Sequence, residues 1–398
     1  MTTRNVQTAI VLQGGGALGA YEYGVLKALY EHRPDFQPVA VAGISIGAIT
    51  AAVLGGAAGD PIEALDTLWR RKLTVTSPVP TPWLPAPLDR ALASFGNPGM
   101  YQLQAGLFTT PWLLTSIYDT APLRQTLAEL VDPQRLDDDA TRVIVGAINV
   151  ATGVMEYFHS RQPGGLTFEH IAASGSLPPS FPMTPIGEHR YWDGGLFSNT
   201  PLGPAINALE QAAGGDRSVE RELVVVELFP MRAALPHTFT DVLQRMMQLQ
   251  YTSRLTLDKN FFDQISCLVD LIAEIDQALP ADTAIRNDPL FTKLRTHRKI
   301  DHLNVVTSNL PPQLSNASDF SRSSIEARIR AGYQDAMQQG IGDVDAPGLR
   351  FGVTKPAVED VGVTADDNQV EPARSARRTA TTDARPAVRC PSVEDARP

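Results

Sequence analysis

The sequence predicts an α/β protein built on a mixed, mostly parallel β-sheet. Its N-terminal part has the pattern of strand, glycine-rich loop, helix, strand, sharp turn and helix. This is a βαβ unit, which implies parallel neighbouring strands and a right-handed crossover. Later segments have the pattern of a hairpin and of further apolar strands. The chain has 398 residues, of which 43% are hydrophobic, so it is long enough to bury a sizeable core around such a sheet.

The βαβ unit begins at residues 7–12, a short apolar run that ends in glycines. From Leu18 onward, apolar residues recur at helical spacing until Pro34 interrupts the pattern. Residues 39–42 predict a second short strand, and a second helix is expected from about Ile46. The two strands therefore form the N-terminal part of the predicted sheet, and each is followed by a helix.

The remaining elements follow from apolar patterning and from breaker residues. A hairpin is predicted at residues 142–150 and 154–158, core strands at 223–228 and 303–306, a long helix at 240–279 that Pro280 ends, and an amphipathic helix at 325–337. Residues 75–104 are dense in proline and show no periodicity, so we expect a long loop or cap there.

Charge and hydropathy exclude several classes of protein. The formal net charge of −10 leaves no global positive field for nucleic acid, and we expect no nucleic-acid partner. Residues 38–58 carry no charge, but their Gly, Ala and Thr content predicts a buried strand, turn and helix rather than a transmembrane segment. The first apolar run is too short for a signal peptide, so we expect a cytoplasmic protein.

The first candidate site is the glycine loop, residues 14–19, with the sequence GGGALG between a predicted strand and a helix. Consecutive glycines allow backbone N–H groups to converge on an oxyanion or a phosphate, and a helix N-terminus favours negative charge. The run also satisfies Gly-x-Gly-x-x-Gly, so an NAD(P)-dependent oxidoreductase is an alternative. That alternative lacks the acidic residue expected at the end of the next strand.

The second candidate site is the pentapeptide from Gly43 to Gly47, with Ser45 at its centre. In a nucleophile elbow, the serine lies on a strained strand-to-helix turn, and the flanking glycines relieve crowding. Because Ser45 and the glycine loop follow consecutive parallel strands, both are expected at the same edge of the sheet. A tight turn with a locally bonded serine is the structural alternative.

The third candidate is Asp193, in the segment YWDGG. A carboxylate in an apolar pocket can act as the base that a serine nucleophile needs, although a solvated Asp-Gly-Gly turn would give the same segment. A Ser-His-Asp triad is the alternative, but the seven histidines are scattered, with no spacing that singles one out. No residue cluster has metal-ligand spacing, so we expect neither a metal nor another cofactor.

Four segments in order resemble the patatin-like phospholipase family: VLQGGGALGAYEYGVL, AGISIGAI, IAASGSLPPSFP and YWDGGLFSNTP, which span roughly residues 8–201. The resemblance implies a three-layer α/β/α fold and a Ser-Asp dyad without histidine. At the matching positions, Ser45 would be the nucleophile and Asp193 the base, with Gly14, Gly15 and Gly16 as the oxyanion hole. Many family members have Lys or Arg where this chain has Leu18, so an ester is a firmer substrate class than phospholipid.

These observations predict a patatin-like catalytic domain at residues 1–310, a C-terminal helical extension packed on it at 311–351, and a disordered tail at 352–398. The predicted function is hydrolysis of carboxylic esters of lipids, phospholipid or acylglycerol, through an acyl-enzyme. The expected partner is the lipid ester, with transient contact to a membrane surface and a peripheral location there. A catalytically idle lipid-binding or interaction protein on the same fold is a further alternative.

Overall fold

A computed structural model of the protein describes residues 5–33, 35–76, 96–136, 140–214, 216, 218–229 and 235–340. The predicted disordered tail at 352–398 and most of the proline-rich loop, at 77–95, lie outside the described residues. The predicted domain boundaries at 310 and 351 therefore stay predictions.

Strands occur along most of the described chain. They are β1 (Val6–Leu12), β2 (Ala40–Gly43), β3 (Gly96–Asn97), β4 (Tyr101–Leu103), β5 (Tyr118–Asp119), β6 (Arg142–Asn149), β7 (Met155–His159), β8 (Thr184–Ile186), β9 (His189–Asp193), β10 (Glu220–Glu227) and β11 (His302–Thr307). Eight of them form the main sheet in the order β11-β10-β1-β2-β6-β9-β8, with β7 paired to β6. The strands from β11 to β6 are parallel, whereas β7, β8 and β9 pair antiparallel.

Helices cover both faces of this sheet. They are α1 (Gly19–His32), α2 (Ile46–Gly56), α3 (Pro61–Asp66), α4 (Ala121–Leu130), α5 (Pro133–Leu136), α6 (Phe168–Ser174), α7 (Leu202–Ala213), α8 (Phe239–Ala278), α9 (Pro289–Thr296) and α10 (Arg322–Gln338). No helix in the described part of the chain is both long enough and apolar enough to cross a membrane.

The alternation of side chains along β1 explains the layers. Ile10 and Leu12 belong to a core that includes residues of α1, α2 and α10. Ala9 and Val11 point to the opposite face and pack with residues of α7. Both faces of the central strand are therefore buried against helices, as a mostly parallel sheet requires. The predicted three-layer α/β/α fold with a mixed central sheet is confirmed.

The structure differs from the sequence-based prediction in the elements that carry little apolar pattern. Residues 189–193, where the sequence predicts no strand, form β9, which pairs with β6 and β8 and places Asp193 opposite Ala147. Residues 96–104, expected to be loop, contribute β3 and β4 to a small separate antiparallel sheet. In both cases, cross-strand hydrogen bonds rather than local hydrophobicity define the strand.

Helices α1 and α10 cross at very short range. A Cβ at Gly24 would lie 2.1 Å from the backbone oxygen of Ile329, and a Cβ at Gly332 would lie 2.0 Å from that of Tyr21. The Tyr21 hydroxyl also donates to the carboxylate of Asp335 at 2.7 Å. Only glycine at the two crossing points permits this distance between the helix backbones. The last described helix is therefore packed tightly against the first.

A buried ion pair joins the end of α1 to the sheet. Arg33 donates to both carboxylate oxygens of Glu222, at 2.6 and 2.9 Å, and both side chains are buried. Thr8 and Asn304 each donate to the same carboxylate at 2.6 Å. Desolvation opposes ionisation of Glu222, but Arg33 and the two neutral donors hold its pKa below the usual value.

Replacing Arg33 with Met should lower the free energy of unfolding by about 3–5 kcal/mol, because it leaves the Glu222 carboxylate buried without its counter-charge. Urea unfolding of the full chain measures this change. The matched control is Lys27→Met, which breaks the exposed ion pair with Glu31 and should change stability by less than about 1 kcal/mol. Equal effects of the two substitutions would contradict a structural role for the buried pair.

Candidate active site

Ser45 lies at the turn between β2 and α2. Its backbone has φ 57° and ψ −122°, a conformation that non-glycine residues rarely adopt. The Ser45 N–H donates to the Ser174 hydroxyl at 3.0 Å, and that hydroxyl donates to the Gly146 carbonyl at 2.7 Å. Helix α6, which carries Ser174, therefore stabilises the strained turn and ties it to β6.

Gly43 and Gly47, on either side of Ser45, lie where two backbone segments are in close contact. A Cβ at Gly43 would lie 2.1 Å from the Gly47 carbonyl oxygen. A Cβ at Gly47 would lie 2.6 Å from the carbonyl oxygen of Leu12, at the end of β1. Because β1 and β2 pair in register from Ala9 to Leu12, the turn at Ser45 packs directly against the chain that enters the glycine loop.

The glycine loop contacts Ser45 and leaves two donors available. A Cβ at Gly14 would lie 2.8 Å from the Ser45 Cβ, so no larger residue fits there. The Gly14 N–H already donates to the Asn199 Oδ1 at 3.0 Å. The N–H groups of Gly15 and Gly16 have no acceptor among the described residues. Two of the three sequence-predicted donors thus remain free to bind an anionic oxygen.

Asp193 ends β9 beside Ser45. Its side chain is 2% exposed, and the Oδ1 accepts a hydrogen bond from the Gly195 N–H at 2.7 Å. The Ser45 hydroxyl lies close enough to the Asp193 carboxylate to lower its pKa. Burial raises the pKa of Asp193 to about 7, although the neighbouring Ser45 hydroxyl and the bond from the Gly195 N–H act in the opposite direction. Asp193 is therefore a buried carboxylate that exchanges its proton near neutral pH.

All the candidates from the sequence meet at one edge of the sheet. Ser45 packs against Gly14 and lies beside Asp193, although Asp193 comes from a distant part of the chain. In the described part of the chain, neither Ser45 nor Asp193 hydrogen-bonds to a histidine. No group of three or more His, Cys, Asp or Glu side chains suited to a metal ion occurs among the described residues. The local chemistry is that of a serine beside a carboxylate.

Two amide side chains that the sequence analysis did not single out hold the glycine loop. Asn199 donates from Nδ2 to the Gly14 carbonyl at 2.9 Å and accepts from the N–H of the same residue. Gln13 accepts from the Leu228 N–H and donates to the Thr200 hydroxyl, each at 2.8 Å. The only local signal for Asn199 was its position soon after Asp193 in the segment WDGGLFSNTP.

The fold and this site define a three-layer α/β/α protein with a serine on a strand-to-helix turn, next to a buried carboxylate and a glycine loop. A sequence model of the patatin-like phospholipases matches residues 10–206, and a second model, described as patatin phospholipase, matches residues 249–339. The chain belongs to the patatin-like phospholipase family. Family membership supports lipid hydrolase activity, and it confirms the resemblance found in the sequence motifs.

Two solved structures show a distant likeness to this chain. VipD from Legionella pneumophila is 15% identical with a TM-score of 0.37, covering 85% of this chain and 67% of that chain. The ExoU-SpcU complex from the type III secretion system of Pseudomonas aeruginosa is 15% identical with a TM-score of 0.24, covering 84% of this chain and 76% of that chain. No curated protein sequence matches. The family assignment rests on the two sequence models.

Proposed function

We propose that this protein hydrolyses carboxylic esters of lipids through a Ser45-Asp193 dyad and a covalent acyl-enzyme. The observation that carries the proposal is the placement of Ser45, on its strained strand-to-helix turn, beside the buried carboxylate of Asp193. A serine hydroxyl is a weak nucleophile at neutral pH unless a base removes its proton during attack. A carboxylate with a pKa of about 7 is matched to that task at physiological pH.

In the acylation step, the Ser45 Oγ forms a bond to the ester carbonyl carbon while its proton passes to Asp193. The carbonyl π electrons move to oxygen and give a tetrahedral oxyanion. When the intermediate collapses, the bond to the leaving oxygen breaks, and Asp193 returns the proton to that alcohol. The acyl group then remains on Ser45, and Asp193 is again ionised.

The oxyanion requires donors that are already in place. We assign this role to the N–H groups of Gly15 and Gly16, because Gly14 uses its N–H to bind Asn199. The N-terminus of α2, directly after Ser45, contributes a partial positive charge on the same side. These donors are backbone groups, so they do not depend on a basic side chain in the loop.

Deacylation repeats the same chemistry with water. Asp193 accepts a proton from a water molecule as the water oxygen attacks the acyl carbon of the ester on Ser45. Collapse of the second tetrahedral intermediate breaks the bond to the Ser45 Oγ, which recovers the proton from Asp193. The products are a fatty acid and the free enzyme.

The substrate is an ester of a lipid, and both phospholipids and acylglycerols fit the proposal. Leu18 is buried in the core and provides no positive charge for a phosphate headgroup. A lipid substrate requires contact with a lipid surface, so transient membrane contact is part of the proposal. The cytoplasmic location stays a prediction from the sequence.

Covalent labelling tests the function directly. A fluorophosphonate probe should label the full-length protein, and peptide mapping should place the adduct on Ser45. A panel of phospholipids and acylglycerols, with release of fatty acid as the readout, should then show turnover of at least one ester. An unlabelled protein that binds NAD(P)H would favour an oxidoreductase. Lipid binding without labelling or turnover would favour the catalytically idle alternative.

A further inference from the structure

Helix α10 carries a guanidinium that is completely buried. Arg328 has no exposed surface, and it donates to the backbone carbonyls of Leu314 from Nε at 2.9 Å and of Asn316 from Nη2 at 2.8 Å. Its Nη1 donates to the carbonyls of Asp319 at 2.6 Å and Ala17 at 3.3 Å. One side chain therefore contacts three carbonyls of residues 314–319, here called the support loop, and one carbonyl of the glycine loop.

The support loop itself lies against the glycine loop. The Ala317 carbonyl accepts a hydrogen bond from the Ala17 N–H at 2.7 Å. Arg328 donates to the Ala17 carbonyl, so both backbone groups of Ala17 bind residues from the C-terminal part of the described chain. A Cβ at Gly16 would lie 2.5 Å from the Ala317 oxygen, so the two loops are in close contact next to a proposed oxyanion donor.

A second set of contacts orders the support loop around this guanidinium. The Asp319 carboxylate accepts from the Ser321 N–H at 3.0 Å and from the Ser324 hydroxyl at 2.7 Å. Desolvation alone would raise the pKa of Asp319, but these bonds and the charge of Arg328 hold it below the usual value. The buried positive charge is therefore accompanied by a buried negative one.

We propose that Arg328 is a positioning residue for ester hydrolysis: it fixes the support loop against Ala17 and thereby sets the direction of the Gly15 and Gly16 N–H groups toward Ser45. This inference rests on the proposed function, because it takes those two groups as the oxyanion donors. In this proposal α10 affects catalysis through Arg328, which acts on the glycine loop and does not contact the reacting groups itself.

The chemistry of the contacts explains why arginine is needed. A guanidinium has five N–H donors in a rigid plane, and four of them are used here on carbonyls that point from different directions. Lysine keeps the charge but has three donors on one nitrogen, so it does not reach all four carbonyls. An oxyanion donor must be placed within about 0.5 Å to act, so a small shift of the glycine loop lowers the rate.

Arg328→Lys in the full-length protein tests the proposal, with Arg330→Lys on the exposed side of the same helix as the matched control. For Arg328→Lys, we expect kcat on a p-nitrophenyl ester to fall on the order of 10²-fold, with KM changed less than about threefold, as for loss of transition-state stabilisation. Amide hydrogen exchange of the peptide that contains Ala17 should become at least about tenfold faster. Arg330→Lys should match the wild type. Unchanged kcat and exchange in Arg328→Lys would overturn the proposal.

Ser324→Ala is the second variant, and it keeps the proposal testable if Arg328→Lys does not fold. It removes one hydrogen bond to the Asp319 carboxylate but keeps the buried guanidinium, so we expect the fold to be preserved. Faster exchange at Ala17 with a lower kcat and unchanged KM supports the proposal, and wild-type values of both overturn it. Hydrogen exchange does not depend on activity. If the wild type is not labelled at Ser45, the proposed function fails, whereas the exchange data still show whether Arg328 fixes the glycine loop.

Discussion

Ser45→Ala should lower kcat for ester hydrolysis by on the order of 10⁴-fold or more and abolish labelling by a fluorophosphonate. The reason is that the substitution removes the only atom that forms the acyl-enzyme in the proposed mechanism. The alanine methyl fits the site, because the hydroxyl is replaced by hydrogen and the glycine contacts around the turn are unchanged. The measurement is the rate of release of p-nitrophenol from a short-chain ester, with fatty acid release from a lipid as a second substrate.

Ser323→Ala is the matched control, since Ser323 is an exposed serine on α10 and should retain wild-type activity and labelling. Thermal unfolding of both variants shows that any loss of activity is not a loss of fold. Residual hydrolysis by Ser45→Ala at a tenth or more of the wild-type rate would rule out the covalent mechanism.

Asp193→Asn should remove activity to a similar extent while making the protein more stable at neutral pH. An amide keeps the shape of the side chain but does not accept a proton, so kcat should fall on the order of 10⁴-fold. The folded-state pKa of about 7 lies well above the ordinary value of 3.8 because the carboxyl is buried. Ionising Asp193 in the folded protein therefore disfavours folding by roughly 4 kcal/mol.

The direction of the pH dependence follows from that shift. Below about pH 4, Asp193 is protonated in both states and does not oppose folding. Between about pH 4 and pH 7 the unfolded chain ionises Asp193 while the folded protein keeps the proton, so stability falls, and the loss is complete above about pH 7. The gain from Asp193→Asn in the free energy of unfolding should thus be small at pH 4 and largest at pH 8. Wild-type kcat/KM should rise with pH through about 7, because only ionised Asp193 accepts the proton.

Asp216→Asn is the control, because Asp216 is exposed and accepts hydrogen bonds only at the surface, so its substitution should leave activity unchanged. Urea unfolding at pH 4 and pH 8, together with a pH profile of kcat/KM, measures both effects. A wild-type profile that stays flat from pH 5 to 8 would contradict Asp193 as the base.

The N-terminal half of the fold could be predicted because its signals are local. Short continuous apolar runs predict β1 and β2, and helical spacing predicts α1, with bounds that agree with the structure to within a residue or two; α2 begins at Ile46, as expected. Parallel pairing then places the ends of β1 and β2 at one edge, which is why Ser45 and the glycine loop were expected together. Periodicity and connection rules were sufficient for this part of the site.

The rest could not be predicted from local pattern. Asn199 is 185 residues from Gly14, and its role depends on how β9 and the following turn return to the sheet. Strand β9 contains His189 and Arg190, whose exposed side chains give this short strand, next to the edge strand β8, the composition of a turn. Ser174 accepts a hydrogen bond from the Ser45 N–H through its hydroxyl. Serine is a common residue, so nothing in the sequence around Ser174 indicates this role. Each of these contacts is set by tertiary packing.

The crossing of α1 and α10 has a consequence for the order of assembly during synthesis. Arg328 and Ala17 are separated by 311 residues, so the ribosome must release nearly the whole folded part of the chain before they meet. Until then, α1 exposes the groove that Gly24 opens for Ile329. A nascent or prematurely terminated chain therefore has an N-terminal helix without its packing partner until α10 has emerged.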